Sequence, residues 1–363
     1  MKEIFRNELK KLSPYKPGKP IQDVQKEYGL NKVYKLASNE NPLGCSPKVK
    51  KALIKCMDNI HLYPDGNATL LKKKISDLTE IPVNRILPSS GLDEMIDLVA
   101  KTFINKGDEV IISDNTFIRY MDTTKIMGGV PVVIPLRKDF SFDLEKMLEK
   151  INNKTKLIWI CNPNNPTGTM ISRKELINFV KQVPKDIVIA YDEAYKEFAT
   201  DKNFPHNSIE LLSNHPNIII MRTLSKAYGL ASFRIGYAIA SEEIIENLNK
   251  VRPAFNVSTF AQAAAIAALD DQAFIQKTIQ NNNKGKEYLY KEFDKMNLFY
   301  IPTQTNHIWV NIKKNSEEIF KNLQKKGIII RPMKGTNIRV SIGLPQENEF
   351  LVQCLKEELN LCV

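Results

Sequence analysis

From about residue 85 to 240, short apolar runs alternate with amphipathic stretches, and that rhythm limits the possible folds more than any other feature of the chain. The runs Glu109–Ser113, Val130–Pro135, Leu157–Cys161, Ile187–Tyr191, Ile218–Met221 and Ile235–Ala240 are rich in β-branched residues and predict strands. Helical patterns such as Asp93–Phe103 and Arg173–Val183 separate them. Strands apolar on both faces need cover on both sides. The pattern therefore predicts an α/β domain, a mostly parallel sheet flanked by helices.

After Glu242 the rhythm changes to long helices at Glu242–Val251, Phe260–Leu269 and Phe274–Met296. Short strands follow at Leu298–Ile301, Ile308–Ile312, Ile328–Arg331 and Ile338–Ile342, with a helix between the second and third. This predicts a smaller α+β domain. The expected division is an N-terminal segment (1–40) packing on the small domain, a large domain (41–245) and the small domain (246–363). A chain of 363 residues is long enough for two such cores.

Composition narrows the function classes. No run approaches the ~20 apolar residues that a membrane-spanning helix requires. The first residues mix charged and apolar types without a signal-peptide core, so a cytoplasmic protein is expected. The five cysteines and four histidines are scattered without metal-ligand spacing, and neither a disulfide nor a metal is expected. The net charge of +11 either draws anionic ligands into a basic cleft or reflects solvated lysine-rich helix faces such as 48–55 and 72–74, and the second reading is the default. Basic residues are interleaved with acidic ones and no nucleic-acid-binding module is present, which argues against DNA or RNA.

Polar groups collect where the predicted strands end, the edge at which open α/β sheets bind ligands. Ser89-Ser90-Gly91-Leu92 opens a helix whose free N–H groups could hold an anion. Cys161-Asn162-Pro163-Asn164-Asn165-Pro166-Thr167-Gly168 follows a buried strand and reads as a rigid, turn-rich loop that fixes Asn165. Asp192 comes straight off another apolar strand, where a carboxylate needs a partner, and Tyr195 lies three residues on. Thr223, Ser225, Lys226 and Arg234 crowd together after a third. A phosphate needs an Arg, hydroxyls and helix-start N–H groups. A protonated pyridine nitrogen needs a carboxylate. A carbonyl cofactor needs a Lys amine. The chain carries all three.

With these motifs the chain resembles the class II aminotransferases, of the fold-type I pyridoxal-phosphate enzymes, and within them the histidinol-phosphate aminotransferases. Leu36–Gly44, Tyr63-Pro64-Asp65-Gly66, Asp192-Glu193-Ala194-Tyr195, Arg252–Val257 and Asn337–Gly343 extend the likeness over nearly the whole chain. The resemblance implies a homodimeric transaminase of histidine biosynthesis. It would pass an amino group between histidinol phosphate, a phosphorylated amine, and 2-oxoglutarate or glutamate, with ping-pong kinetics. Lys226, Asp192 and Tyr195 would be catalytic: Lys226 as the Schiff-base lysine, Asp192 on the pyridinium nitrogen, and Tyr195 with Asn165 on the phenolic oxygen. Phe117 would stack on the cofactor ring. Gly91, Leu92, Thr223, Ser225 and Arg234 would hold its phosphate, joined by Tyr63 of the neighbouring subunit. Arg339 would take the substrate carboxylate, Tyr15 and Arg331 the substrate phosphate, and Asn41 would border the substrate. An aromatic amino-acid aminotransferase and an O-phospho-amino-acid decarboxylase of the same fold remain alternatives.

Overall fold

The structure, a computed structural model, describes residues 4–14 and 18–361. A two-residue strand, β1 (Tyr34–Lys35), precedes a seven-stranded sheet. That sheet comprises β2 (Ile86–Ser89), β3 (Glu109–Ser113), β4 (Val130–Ile134), β5 (Thr155–Cys161), β6 (Val188–Asp192), β7 (Ile218–Thr223) and β8 (Gly236–Ile239). Their spatial order is β2-β8-β7-β6-β5-β3-β4. Only β8 runs against its neighbours. Every residue of β6 and β7 is buried, as strands covered on both faces must be.

The helices that cover the sheet start where their sequences say they should. Ser172 and Glu175 form a capping box at the head of Arg173–Gln182. Gly91–Phe103 begins at a glycine with φ +74° and turns Leu92, Met95, Ile96 and Val99 into the core. β2 was not expected. Its four residues include Pro88 and Ser89, and so short and mixed a run carries no strand period.

A second sheet has the order β12-β13-β10-β9, made of β9 (Phe299–Tyr300), β10 (His307–Asn311), β12 (Arg331–Pro332) and β13 (Asn337–Ser341). Strand β11 (Ile328–Ile329) lies beside it in sequence but pairs in parallel with β1. Helices Ser316–Lys325 and Pro345–Glu358 pack on this smaller core, which takes in Leu36, Leu289, Phe293, Ile308, Val340 and Leu355.

Two features depart from the expected division. Helices Glu242–Val251 and Thr259–Leu269 were expected with the small domain, yet Leu248, Ala261, Ala264, Ala265 and Leu269 sit in the larger core. The second of these helices packs against Pro47–Ile54. The change of rhythm after Glu242 marks longer helices, not a new core. Likewise the N-terminal segment serves both domains. Tyr34–Leu36 joins the small one, but Arg6 donates to the carbonyl of Ile126, and the turn Asn7–Lys11 lies against helix Ile118–Ile126 of the large one.

Candidate active site

The carboxyl ends of β5, β6 and β7 open into one cavity of about 210 Å³ between the two domains. Its lining includes Leu92, Phe117, Asn165, Asp192, Tyr195, Thr223, Ser225, Lys226, Arg234, Arg331 and Arg339. Residues from Gly18 to Arg339, nearly the whole length of the chain, therefore meet at the edge where topology puts a ligand.

One end is built for an anion. Arg234 donates through Nη1 to Ser225 Oγ at 3.4 Å, and Ser225 N–H donates to Thr223 Oγ1 at 3.1 Å. Gly91 begins a 13-residue helix here, where free N–H groups and the helix dipole favour negative charge. A Cβ at Gly91 would stand 2.6 Å from Arg234 Nη2. Glycine thus leaves the guanidinium room to reach the helix start. Asp93 holds the other side of Arg234, with Oδ2 3.3 Å from Nη2.

At the other end Asp192 is 3% exposed, and among the described residues its hydrogen-bond partners are neutral. Its Oδ1 accepts from the Ala194 N–H at 2.9 Å, and its Oδ2 accepts from the Tyr120 hydroxyl at 2.7 Å. Burial pushes the carboxyl up to about 6, against the pull of those two hydrogen bonds. The next residue, Glu193, pairs with Arg222 Nε at 2.8 Å and ties the ends of β6 and β7 together. Phe117 is held over the cavity because the loop before it is anchored. Thr116 donates to Asn164 Oδ1 at 2.8 Å, and Asn164 Nδ2 donates back to the Asn115 carbonyl at 2.9 Å.

Lys226 lies between these ends. Its Nζ donates to the Ser38 carbonyl at 3.0 Å and stands 5.9 Å from the centre of the Tyr195 ring. Burial, reinforced by the positive charge of Arg339, pulls the amine down to about 8. Tyr195 accepts from Asn39 Nδ2 at 2.9 Å, which leaves its hydroxyl proton free to donate. Asn165 accepts through Oδ1 from Arg339 Nη1 at 2.7 Å, so its amide N–H₂ is the end left for another acceptor.

Arg339 and Arg331 are direct partners across the antiparallel pair β12–β13. Like charges opposite one another destabilise a sheet, so the pairing makes sense where anions are brought between them. Arg339 Nη2 also donates to the Ala37 carbonyl at 2.6 Å, which sets the plane of its fork.

Two expected residues, Asn41 and Tyr63, lie away from the cavity. Asn41 spends its amide on the Ala227 carbonyl at 2.8 Å and Thr278 Oγ1 at 3.1 Å, so it braces the lysine loop from outside. Tyr63 is 82% exposed and stacks on Phe255 with ring centres 4.7 Å apart. Tyr15 lies outside the described residues. Conversely, sequence reasoning gave no role to Asn39 or Tyr120. An aromatic three residues after Phe117, at the start of a helix, was a readable signal for Tyr120. Asn39 had none, because its partners come from 156 to 302 residues away.

These residues fit the cofactor that the motifs imply. A buried carboxylate with only neutral donors suits a protonated ring nitrogen, the Gly91–Arg234 cradle suits a phosphate, and a buried amine with a lowered affinity for its proton suits a carbonyl. The comparisons agree. The family described as "Aminotransferase class I and II" matches residues 31–354. A histidinol-phosphate aminotransferase of Caldicellulosiruptor saccharolyticus is 50% identical over 98% of this chain and 100% of its own length. One from Moorella thermoacetica is 42% identical over 98% and 92%. Among solved structures, the Sinorhizobium meliloti histidinol-phosphate aminotransferase in complex with pyridoxal-5'-phosphate superposes with a TM-score of 0.89 at 26% identity, covering 98% of each chain. The chain belongs to the class I and II aminotransferases.

Proposed function

We propose that the chain transfers the amino group of L-histidinol phosphate to 2-oxoglutarate, giving imidazole acetol phosphate and L-glutamate, with pyridoxal 5'-phosphate as cofactor. The observation that carries this reading is the meeting of Lys226, Asp192, Asn165, Tyr195 and Arg234 in one cavity with the facing pair Arg331 and Arg339. The names of the relatives described above support the choice of amine.

When bound, the cofactor supplies an aldehyde for the amine and an electron-withdrawing ring that makes the α-proton acidic. The protein's part is to hold and move protons. Lys226 Nζ, with its affinity for a proton lowered by burial, would take the α-proton and return it to the carbon that carried the cofactor's aldehyde, across the substrate nitrogen. Asp192 holds a proton on the ring nitrogen. Tyr195 Oη and Asn165 Nδ2 donate to the phenolic oxygen. Gly91 and Leu92 N–H groups, Thr223, Ser225 and Arg234 grip the phosphate, while Phe117 covers the ring. Histidinol phosphate has no carboxylate, so Arg339 serves glutamate and 2-oxoglutarate, and Arg331 serves the substrate phosphate. One site working in two half-reactions gives ping-pong kinetics.

The working unit in this reading is a homodimer, each site completed by Tyr63 of the other subunit. Exposed apolar residues close together in sequence support it: Ile54, Met57, Ile60, Leu62, Tyr63 and Leu70. Among the described residues no helix is long and apolar enough to cross a membrane.

The reading is tested by offering histidinol phosphate, phenylalanine and phosphothreonine with 2-oxoglutarate and following glutamate. Histidinol phosphate should be the best donor by at least tenfold in kcat/KM. Phenylalanine as the best donor, or phosphothreonine consumed with release of carbon dioxide, would overturn it.

A further inference from the structure

Asp192 is held by two hydrogen bonds that differ in kind. The Ala194 N–H belongs to the backbone two residues on, and comes with the local turn. The Tyr120 hydroxyl comes from another element, 72 residues away, and exists only because this residue is a tyrosine. Tyr120 is completely buried. Its ring lies flat on Trp159, with centres 4.7 Å apart and planes within 9°, and it meets Phe117 edge-on at 5.7 Å. Trp159 belongs to β5 and Phe117 caps helix Ile118–Ile126, so the tyrosine is fixed from two directions.

That arrangement links two functions. Phe117 and Tyr120 are three positions apart at the head of one helix, and residues so spaced share a face. The first covers the cavity and the second reaches beneath it to Asp192. One turn of helix therefore governs both the group over the cofactor ring and the donor behind the carboxylate at its nitrogen. A carboxylate with neutral donors on both oxygens stays ionised without a competing cation, and its remaining lone pairs can face the cavity.

We infer that Tyr120 is a positioning residue for the bound cofactor: its hydroxyl fixes the Asp192 carboxylate toward the ring nitrogen, while its ring sets Phe117 against the ring face. The inference rests on the proposed role of Asp192. The hydroxyl and the ring act separately, and Tyr120→Phe removes only the first. The stacking on Trp159 and the edge contact with Phe117 survive that change.

The test compares pyridoxal phosphate with its 1-deaza analogue, which has carbon in place of the ring nitrogen, on wild type, Tyr120→Phe and Asp192→Asn. Dissociation constants are read by fluorescence titration and folding by circular dichroism. Tyr120→Phe should fold normally and weaken binding of pyridoxal phosphate about tenfold, with less than a twofold change for the deaza analogue. Equal losses with both compounds would make Tyr120 a packing residue, and no loss with either would remove it from the site; both overturn the inference. If Asp192→Asn also fails to distinguish the two compounds, the role of Asp192 itself is wrong. If Asp192→Asn distinguishes them and Tyr120→Phe does not, only the tyrosine is misassigned.

Discussion

Asn39 donates through Nδ2 to the hydroxyl of Tyr195 at 2.9 Å, and so joins the segment before the large domain to the residue three positions after Asp192. The same amide group donates to His307 Nδ1 at 3.0 Å, while Oδ1 accepts from Ser341 Oγ at 3.0 Å. Burial, with Arg339 and Lys226 near, keeps His307 well below its usual range and therefore neutral, able to accept. Asn39 also has φ +56°, a conformation Asn tolerates better than most residues.

Asn39→Ala is expected to lower stability by about 1–3 kcal/mol for each partner left unpaired, with ~1 kcal/mol more for the left-handed backbone. Asn39→Gly should recover only the backbone share. Both variants should move the pH titration of the bound cofactor's absorbance equally, because that depends on the hydroxyl of Tyr195. Thermal melts and spectral titration check this. A normal titration in Asn39→Gly would show that Asn39 does not orient Tyr195.

Lys226 gives the apoprotein a characteristic pH dependence. Its amine falls from 10.5 to about 8 on folding. Below pH 8 both states carry the proton and the full penalty of the buried ammonium is present. Between pH 8 and 10.5 only the unfolded chain binds it, so stability rises with pH across that window. Lys226→Met should then stabilise the apoprotein at pH 7 by roughly 1–3 kcal/mol and flatten the curve above pH 8. It should also abolish turnover and the borohydride-reducible adduct. Urea melts between pH 6 and 10 measure the first effect and mass spectrometry the second.

The two facing arginines should separate the substrates. Arg339→Lys keeps the charge and loses the two-pronged carboxylate contact, so KM for 2-oxoglutarate should rise about 10–100-fold, with KM for histidinol phosphate within a few-fold of wild type. Arg331→Gln should show the opposite pattern. Steady-state kinetics with each substrate varied in turn decides it, and parallel changes in both KM values would remove the assignment.

Subunit composition has its own test. Ile60→Glu should dissociate the proposed dimer, seen by sedimentation, because it sets a charge among exposed apolar residues close to Tyr63 in sequence. Tyr63→Ala and Lys226→Ala should each be nearly inactive alone. Mixed and allowed to exchange subunits, they should regain activity, since one site of each hybrid then carries neither change. No recovery despite exchange would put Tyr63 outside the partner's site.

The large sheet was legible because β3, β5, β6 and β7 are each buried on both faces, which leaves a continuous apolar run in the sequence. The residues at their ends were legible for the same reason: Asp192, Thr223 and Lys226 interrupt or follow runs that otherwise have no polar member. Contacts made at a distance were not. Asn41 sits among residues that border the cavity, yet its amide turns to Ala227 and Thr278, a choice no local pattern encodes. The alanine-rich helix Thr259–Leu269 could not be assigned to a core from its composition, because alanines fit close packing against either sheet. Periodicity reports which face of an element is buried. It does not report against what.

The pairing of β1 with β11 joins Tyr34 to Ile328 and Lys35 to Ile329. Leu36 is buried in the small core, and Ser38 and Asn39 follow at the cavity wall, where Ser38 accepts from the amine of Lys226. On the ribosome the first of these partners emerges almost 300 residues before the second (328 − 34 = 294). The large sheet can form while synthesis continues, but the wall beside Lys226 must wait for nearly the whole polypeptide, and contacts of such long range are slow to close. A nascent chain should therefore acquire its sheet well before it can retain its cofactor.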